Sequence, residues 1–209
     1  MALKYQIPSW LQCLYRGVTW RGDRSRKVVY LTFDDGPIPE VTPQLLDILK
    51  QENVPATFFV VGENAKKYPV LLQREIAEGH QVGNHTYNHL KGWNYSLEEY
   101  LSNTNLTQAI LNGISVKKHL FRPPYGKLTH VQKKALLDKG YKIVLWDILM
   151  HDYDAAYSPE KMLEIVQQYV RNGSIINFHD SVKSGKRTLL AVPQIIEWLK
   201  QQGYEFETL

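Results

Sequence analysis

At 209 residues, 44% hydrophobic and 22% charged, the chain is long enough for one well-cored domain and short for two. A net charge of +4, with 25 lysines and arginines spread along the chain, leaves no basic footprint for nucleic acid. The single cysteine, Cys13, excludes an internal disulfide and any cysteine-rich metal cluster, and no run of about 20 apolar residues is present to span a bilayer.

The first 27 residues contain neither a continuous apolar stretch nor a small-residue cleavage site. They read as an N-terminal extension to a core over 28–209, all within one domain, 1–209. That leaves the cytoplasm, or the cell envelope if a signal has been removed. The oligomeric state is open.

From Val28 the chain alternates. VVYLTF (28–33) reads as a buried strand, and Thr42-Pro43 opens a helix running to Gln51. ATFFVV (56–61) is the next strand, followed by a helical stretch that stops at Glu78-Gly79, where glycine can take the left-handed C-cap. Weaker strands follow at QVGNH (81–85) and LFRPP (120–124), and Lys139-Gly140 closes a further helix before IVLW (143–146). Ser158-Pro159-Glu160 opens a helix through Val170, Asn172-Gly173 turns into IINF (175–178), and Gln202-Gly203 turns into YEFETL (204–209). About seven β/α units result, an α/β fold that either a barrel or an open sheet would satisfy.

Several of these apolar runs end directly in ionisable residues. VVYLTF ends in Asp34-Asp35-Gly36-Pro37, QVGN in His85, LF in Arg122, and IINF in His179-Asp180. Buried carboxylates and imidazoles are costly unless they bind a metal or each other, so strand ends converging with these groups mark a site. His85 and His89 stand four apart, which puts two imidazoles on one side of a helical turn or a tight loop. A carboxylate from another strand would complete two histidines and one carboxylate, with open positions for water and substrate. The spacing alone arises often by accident, and Asp-Gly-Pro alone suits a turn. Together they are more specific: neighbouring aspartates at a strand end point apart, so one can ligate while the other faces substrate.

With TFDDGP (32–37), HTYNH (85–89), RPPYG (122–126) and FHD (178–180) in this order, the chain resembles the polysaccharide deacetylases, the NodB-homology group of carbohydrate esterase family 4. The resemblance runs from Val28 to the C-terminus. It implies a distorted seven-stranded β/α barrel and a metal-dependent hydrolase that removes acetyl groups from a carbohydrate, foremost a glycan containing N-acetylglucosamine. It implies one divalent cation, zinc first with cobalt, nickel or manganese as alternatives, on Asp35, His85 and His89. Asp34 is then the general base and His179 the general acid. Arg122 holds Asp34, and the backbone N–H of Tyr125 helps bind the oxyanion.

Two places depart from the family pattern. WDILMHDYD stands where an Asp-x-x-Asp-Trp arrangement is usual, so that Leu149 replaces the first aspartate, Asp152 keeps the second, and Tyr153 replaces the tryptophan. The partner of His179 is therefore Asp152, or Asp147 from a shifted backbone, or no carboxylate at all. Asn177 stands where a leucine is usual, two residues before the histidine, and as a polar group at the pocket wall it would change how the acetyl methyl is received. Of the aromatics near the motifs, Tyr87, Trp93, Tyr95, Tyr125 and Tyr153, at most one or two are expected to stack on sugar rings, since such residues are also common core fillers. His80, His119, His130 and His151 are expected to be structural or exposed. The altered acid side leaves a glycan- and metal-binding pseudoenzyme as the competing reading, and a metallohydrolase of small acylated amides as a third.

Overall fold

The computed structural model describes residues 5–209 apart from 115 and 117. Helix α1 (Ser9–Leu14) and strand β1 (Val18–Thr19) precede the first long strand, β2 (Val28–Asp34). Then follow α2 (Thr42–Gln51), β3 (Thr57–Val60), α3 (Gly62–Lys67), α4 (Pro69–Ala77), β4 (Gln81–Asn84) and α5 (Leu97–Gly113). The second half contains β5 (Leu120–Phe121), α6 (His130–Asp138), β6 (Lys142–Val144), β7 (Ile148–Leu149), α7 (Pro159–Tyr169), β8 (Ile175–His179), α8 (Gly185–Gln201) and β9 (Glu205–Phe206). The helix stops read at Gly79, Gly140 and Gly203 hold, and these glycines take left-handed φ between +77° and +86°. Gly173 also takes a left-handed φ, of +78°, but it turns the chain into β8 after the helix has already ended at Tyr169.

Eight strands lie parallel in the order β1-β6-β5-β4-β3-β2-β8-β7, and β9 pairs with the start of β2. All seven expected strands are present. The two additional ones, β1 and β7, are each two residues long. The strands at the ends of this order do not pair with each other. Instead residues 145–147 bridge the gap, with Leu145 N–H donating to the Thr19 carbonyl and Asp147 N–H to the Ile175 carbonyl. The result is a curled, incompletely closed form of the distorted β/α barrel that the resemblance implied, with more strands than the seven expected.

Strand alternation divides the chemistry between two faces. Outward, Phe33 stacks on Phe58 and Phe178, with ring centroids 5.3 and 5.6 Å apart, within the large core between sheet and helices. A smaller apolar cluster of Val28, Tyr30, Phe59, Leu120, Val144 and Ile175 includes the alternate residues of the same strands. Continuing that alternation toward the C-terminal strand ends gives Thr32 and Asp34 on β2, Arg122 after β5, and Asn177 and His179 on β8. The apolar inner packing thus gives way to a polar floor at one end of the barrel.

Candidate active site

The base of the site is a buried polar network. Asp34 is 2% exposed and Arg122 fully buried. The Arg122 guanidinium donates through Nη1 to Asp34 Oδ1 at 2.7 Å and to Thr32 Oγ1 at 2.8 Å, and through Nη2 to the Leu145 carbonyl at 3.0 Å. It lies 4.1 Å from the centroid of the Phe59 ring. The other carboxylate oxygen, Asp34 Oδ2, accepts from Asn177 Nδ2 at 3.0 Å. Burial pushes the Asp34 carboxyl up to about 6, against the charges of Arg122 and His179, which favour the ionised form.

One residue on, the chain leaves the strand. Asp35 has a left-handed φ of +88°, followed by a cis Gly36-Pro37 bond. Gly36 is required, because a Cβ there would fall 1.9 Å from Asp180 Oδ2. Asp180 instead accepts the Gly36 N–H at 2.9 Å and the Thr42 hydroxyl at 2.7 Å, fixing the turn from behind. Asn64 donates to the Asp35 carbonyl.

His85 and His89 lie on a tight loop after β4. Asn103 Oδ1 accepts the N–H groups of both Tyr87 and Asn88, and the Thr86 hydroxyl accepts that of Leu90. Thr86 and His89 both have positive φ, which folds the loop back on itself. His89 Nε2 lies 3.3 Å and His85 Nε2 3.8 Å from Asp35 Oδ1, and one ligand atom from each of the three residues lies within 4.8 Å of the others. His85 Nδ1 is 2.7 Å from the Arg122 carbonyl, which fixes the proton on Nδ1 and leaves the Nε2 lone pair free. Burial holds both imidazoles below their ordinary pKa, His85 well below. Asp35 Oδ1 is buried and has no hydrogen-bond partner. A buried carboxylate oxygen without a donor, facing two imidazole nitrogens, is an arrangement that could hold a divalent cation.

Across the cleft stands His179. Its Nδ1 is 2.7 Å from Asp152 Oδ1, and its backbone N–H donates to Asp152 Oδ2 at 2.6 Å. Thr188 also donates to Oδ2, so the buried carboxylate is held at both oxygens. Burial lowers the His179 pKa, but the charge and hydrogen bond of Asp152, with Asp35 and Asp34 adding to them, outweigh it and raise the imidazole to about 10. Of the alternatives the sequence left open, Asp152 is the carboxylate beside His179. Asp147 lies elsewhere, fully buried and accepting from Arg171, Gln6, Gln12 and Ser174.

These groups line one cleft of about 510 Å³, whose walls are Tyr125, Trp146, Leu149, Tyr153, Ser181 and Lys183. Tyr125 packs on His89 with centroids 4.7 Å apart, and its backbone has a φ of +59° after two prolines. Of the five aromatics singled out in the sequence, Tyr125 and Tyr153 line this cleft. Trp93 donates to the Leu128 carbonyl with Lys127 over its ring, and Tyr87 packs on Gly62. Asn177, expected on the pocket wall, lies fully buried beneath it against Asp34. Sequence reasoning missed Trp146, Ser181 and Lys183 as lining residues. The only signal was their closeness to IVLW and FHD.

Residues 21–144 match the family model described as polysaccharide deacetylase. The chain belongs to the polysaccharide deacetylase family. Its chemistry is therefore the hydrolytic deacetylation of an acetylated glycan. It is 38% identical over 194 residues to a peptidoglycan-N-acetylglucosamine deacetylase of Bacillus cereus, covering 92% of this chain and 91% of that one. Among solved structures it is similar to the Bc1960 peptidoglycan N-acetylglucosamine deacetylase, with a TM-score of 0.89, 36% identity, and coverage of 97% of this deacetylase and 95% of that chain. It also resembles BA3943, a pseudoenzyme of carbohydrate esterase family 4 from Bacillus anthracis, with a TM-score of 0.81, 27% identity, and coverage of 91% and 66%.

Proposed function

We propose that this chain hydrolyses the N-acetyl group of N-acetylglucosamine residues in a peptidoglycan-type glycan. Asp35, His85 and His89 hold a divalent cation, Asp34 serves as general base and His179 as general acid. The observation that carries the reading is the pairing, in one cleft, of a buried carboxyl held by Arg122 with an imidazole held by Asp152, beside the clustered ligand atoms of Asp35, His85 and His89. Two nitrogens and one carboxylate oxygen suit zinc, with cobalt, nickel and manganese as alternatives. A cation held there supplies Lewis acidity, lowering the pKa of water and drawing charge from the acyl carbonyl.

The remaining work falls to the chain itself. Asp34, ionised near neutral pH and oriented by Arg122, takes a proton from the attacking water. The backbone N–H of Tyr125 donates to the carbonyl oxygen as negative charge develops on it. His179 gives its proton to the departing sugar nitrogen, and acetate and a free amine result. Trp146, Leu149 and Tyr153 provide apolar wall against which sugar and acetyl methyl can pack.

The test is acetate release from acetylated chito-oligosaccharides, peptidoglycan fragments and small acetamides, with zinc, cobalt, nickel or manganese and with a chelator. Release from the glycans that a chelator abolishes and one of the metals restores is the expected result. Release from small acetamides alone would replace the glycan reading. No release with any metal would leave a glycan-binding pseudoenzyme.

A further inference from the structure

The floor of the cleft contains a hydrogen bond that none of the roles above uses. Asn177 on β8 is fully buried and donates to Asp34 Oδ2, the oxygen that Arg122 leaves free. Its own Oδ1 is buried without a hydrogen-bond partner. An apolar side chain of similar size would leave no such orphan, so the amide is retained here at a cost in desolvation. In register, Asn177 lies between Thr32 on β2 and Leu149 on β7. Registered neighbours on parallel strands present their side chains to the same face. Yet Asn177 reaches down to the base, while half-buried Leu149 stands on the cleft wall beside it.

We propose that this strand pair divides two tasks of the deacetylation read above, on which the inference rests. Asn177 is a positioning residue: with Arg122 on the other oxygen, it fixes the plane of the Asp34 carboxylate so that the remaining lone pairs face the cleft. Leu149 is the specificity-determining residue that meets the methyl of the acyl group. The wall of the cleft at this point stays apolar because the polar residue of the pair lies beneath it. The positions are coupled through geometry, since a carboxylate held in one plane fixes where the attacked carbonyl, and hence its methyl, must lie.

The experiment measures kcat and KM separately on N-acetyl and N-propionyl oligosaccharides of the same sugar, for the wild-type chain loaded with cobalt and for each variant. Asn177→Leu, close in size, is expected to lower kcat about tenfold or more with KM within about twofold. Asn177→Ala, which cannot overpack, is expected to show the same split. Cobalt binding, read from its visible absorption, and the melting temperature separate this from a merely structural loss. Leu149→Ala is expected to raise KM for the N-acetyl substrate about tenfold and to narrow the preference for acetyl over propionyl. A folded, cobalt-binding Asn177→Leu or Asn177→Ala with wild-type kcat overturns the inference, as does a Leu149→Ala variant that keeps the wild-type acyl preference. A wild-type chain inactive on every glycan rejects the parent reading, whereas an active one with unaffected variants rejects this inference alone.

Discussion

At the scale of single residues, Asp34 and His179 are set apart by what surrounds them. Asp34 is buried between two donors, the Arg122 guanidinium and the Asn177 amide, and burial outweighs the guanidinium charge to leave its pKa about 6. Asp34→Asn removes the proton acceptor but leaves Asp35, His85 and His89 in place. The expected outcome is a kcat lower by about 10² to 10⁴ with cation binding retained, checked by steady-state kinetics and a cobalt titration. His179 owes its raised pKa to Asp152, whose two oxygens take both its ring N–H and its backbone N–H. A general acid works only while protonated, so activity is lost as pH rises through its pKa. Asp152→Asn lowers that pKa, and the alkaline limb of the pH–rate profile is expected to move to lower pH.

At the scale of elements, strand ends and loops do the positioning. The segment between β6 and β7 bridges the barrel and also supplies Trp146 to the cleft, and β7 directly after it supplies Leu149. Asp147, the last residue of that segment, is a buried carboxylate bound by Arg171, Ser174, Gln6 and Gln12. It ties Gln6 and Gln12, ahead of β1, to Arg171 and Ser174, which lead into β8, so these described residues ahead of Val28 take part in the barrel's closure. Asp147→Ala leaves these donors unmatched and is expected to cost about 3 kcal/mol, read from the urea midpoint at constant slope. Such a cluster was not legible beforehand. Gln6, Gln12 and Arg171 are ordinary polar residues in sequence, separated from Asp147 by up to 141 positions.

At the scale of the whole molecule, buried titratable groups give the fold a pH signature. His179 at about 10, Asp180 at about 7 and Asp34 at about 6 all bind protons more tightly in the folded chain, as does Glu75, whose burial raises it well above the ordinary value. Stability from such groups is present at low pH and lost as pH rises through the folded values. His80, at about 4, and the depressed His85 and His89 act oppositely, but their contribution is complete above the ordinary histidine pKa. Between pH 7 and 10 the loss dominates. The metal-free chain is expected to melt about 5 °C lower or more at pH 10 than at pH 7, and Asp152→Asn to show a smaller drop, measured by thermal denaturation. Among the described residues no helix is long and apolar enough to cross a membrane.

The sequence by itself determined the α/β class, the seven main strands, the glycine-terminated helices and the strand ends that bear the reactive groups. Continuous apolar runs, as in the fully buried β2, and the φ freedom of glycine are local, and local signals survive in one dimension. HTYNH and TFDDGP were legible for the same reason, since the residues that act together are close in the chain. Only the tertiary structure decided that Asp152, not Asp147, meets His179, because the side on which a residue of an irregular segment falls depends on backbone turns such as the positive φ of His151. It also decided that Asn177 faces the base and Leu149 the cleft. A strand residue's face follows from its sequence, but what awaits it there is set by a neighbouring strand far away in the chain.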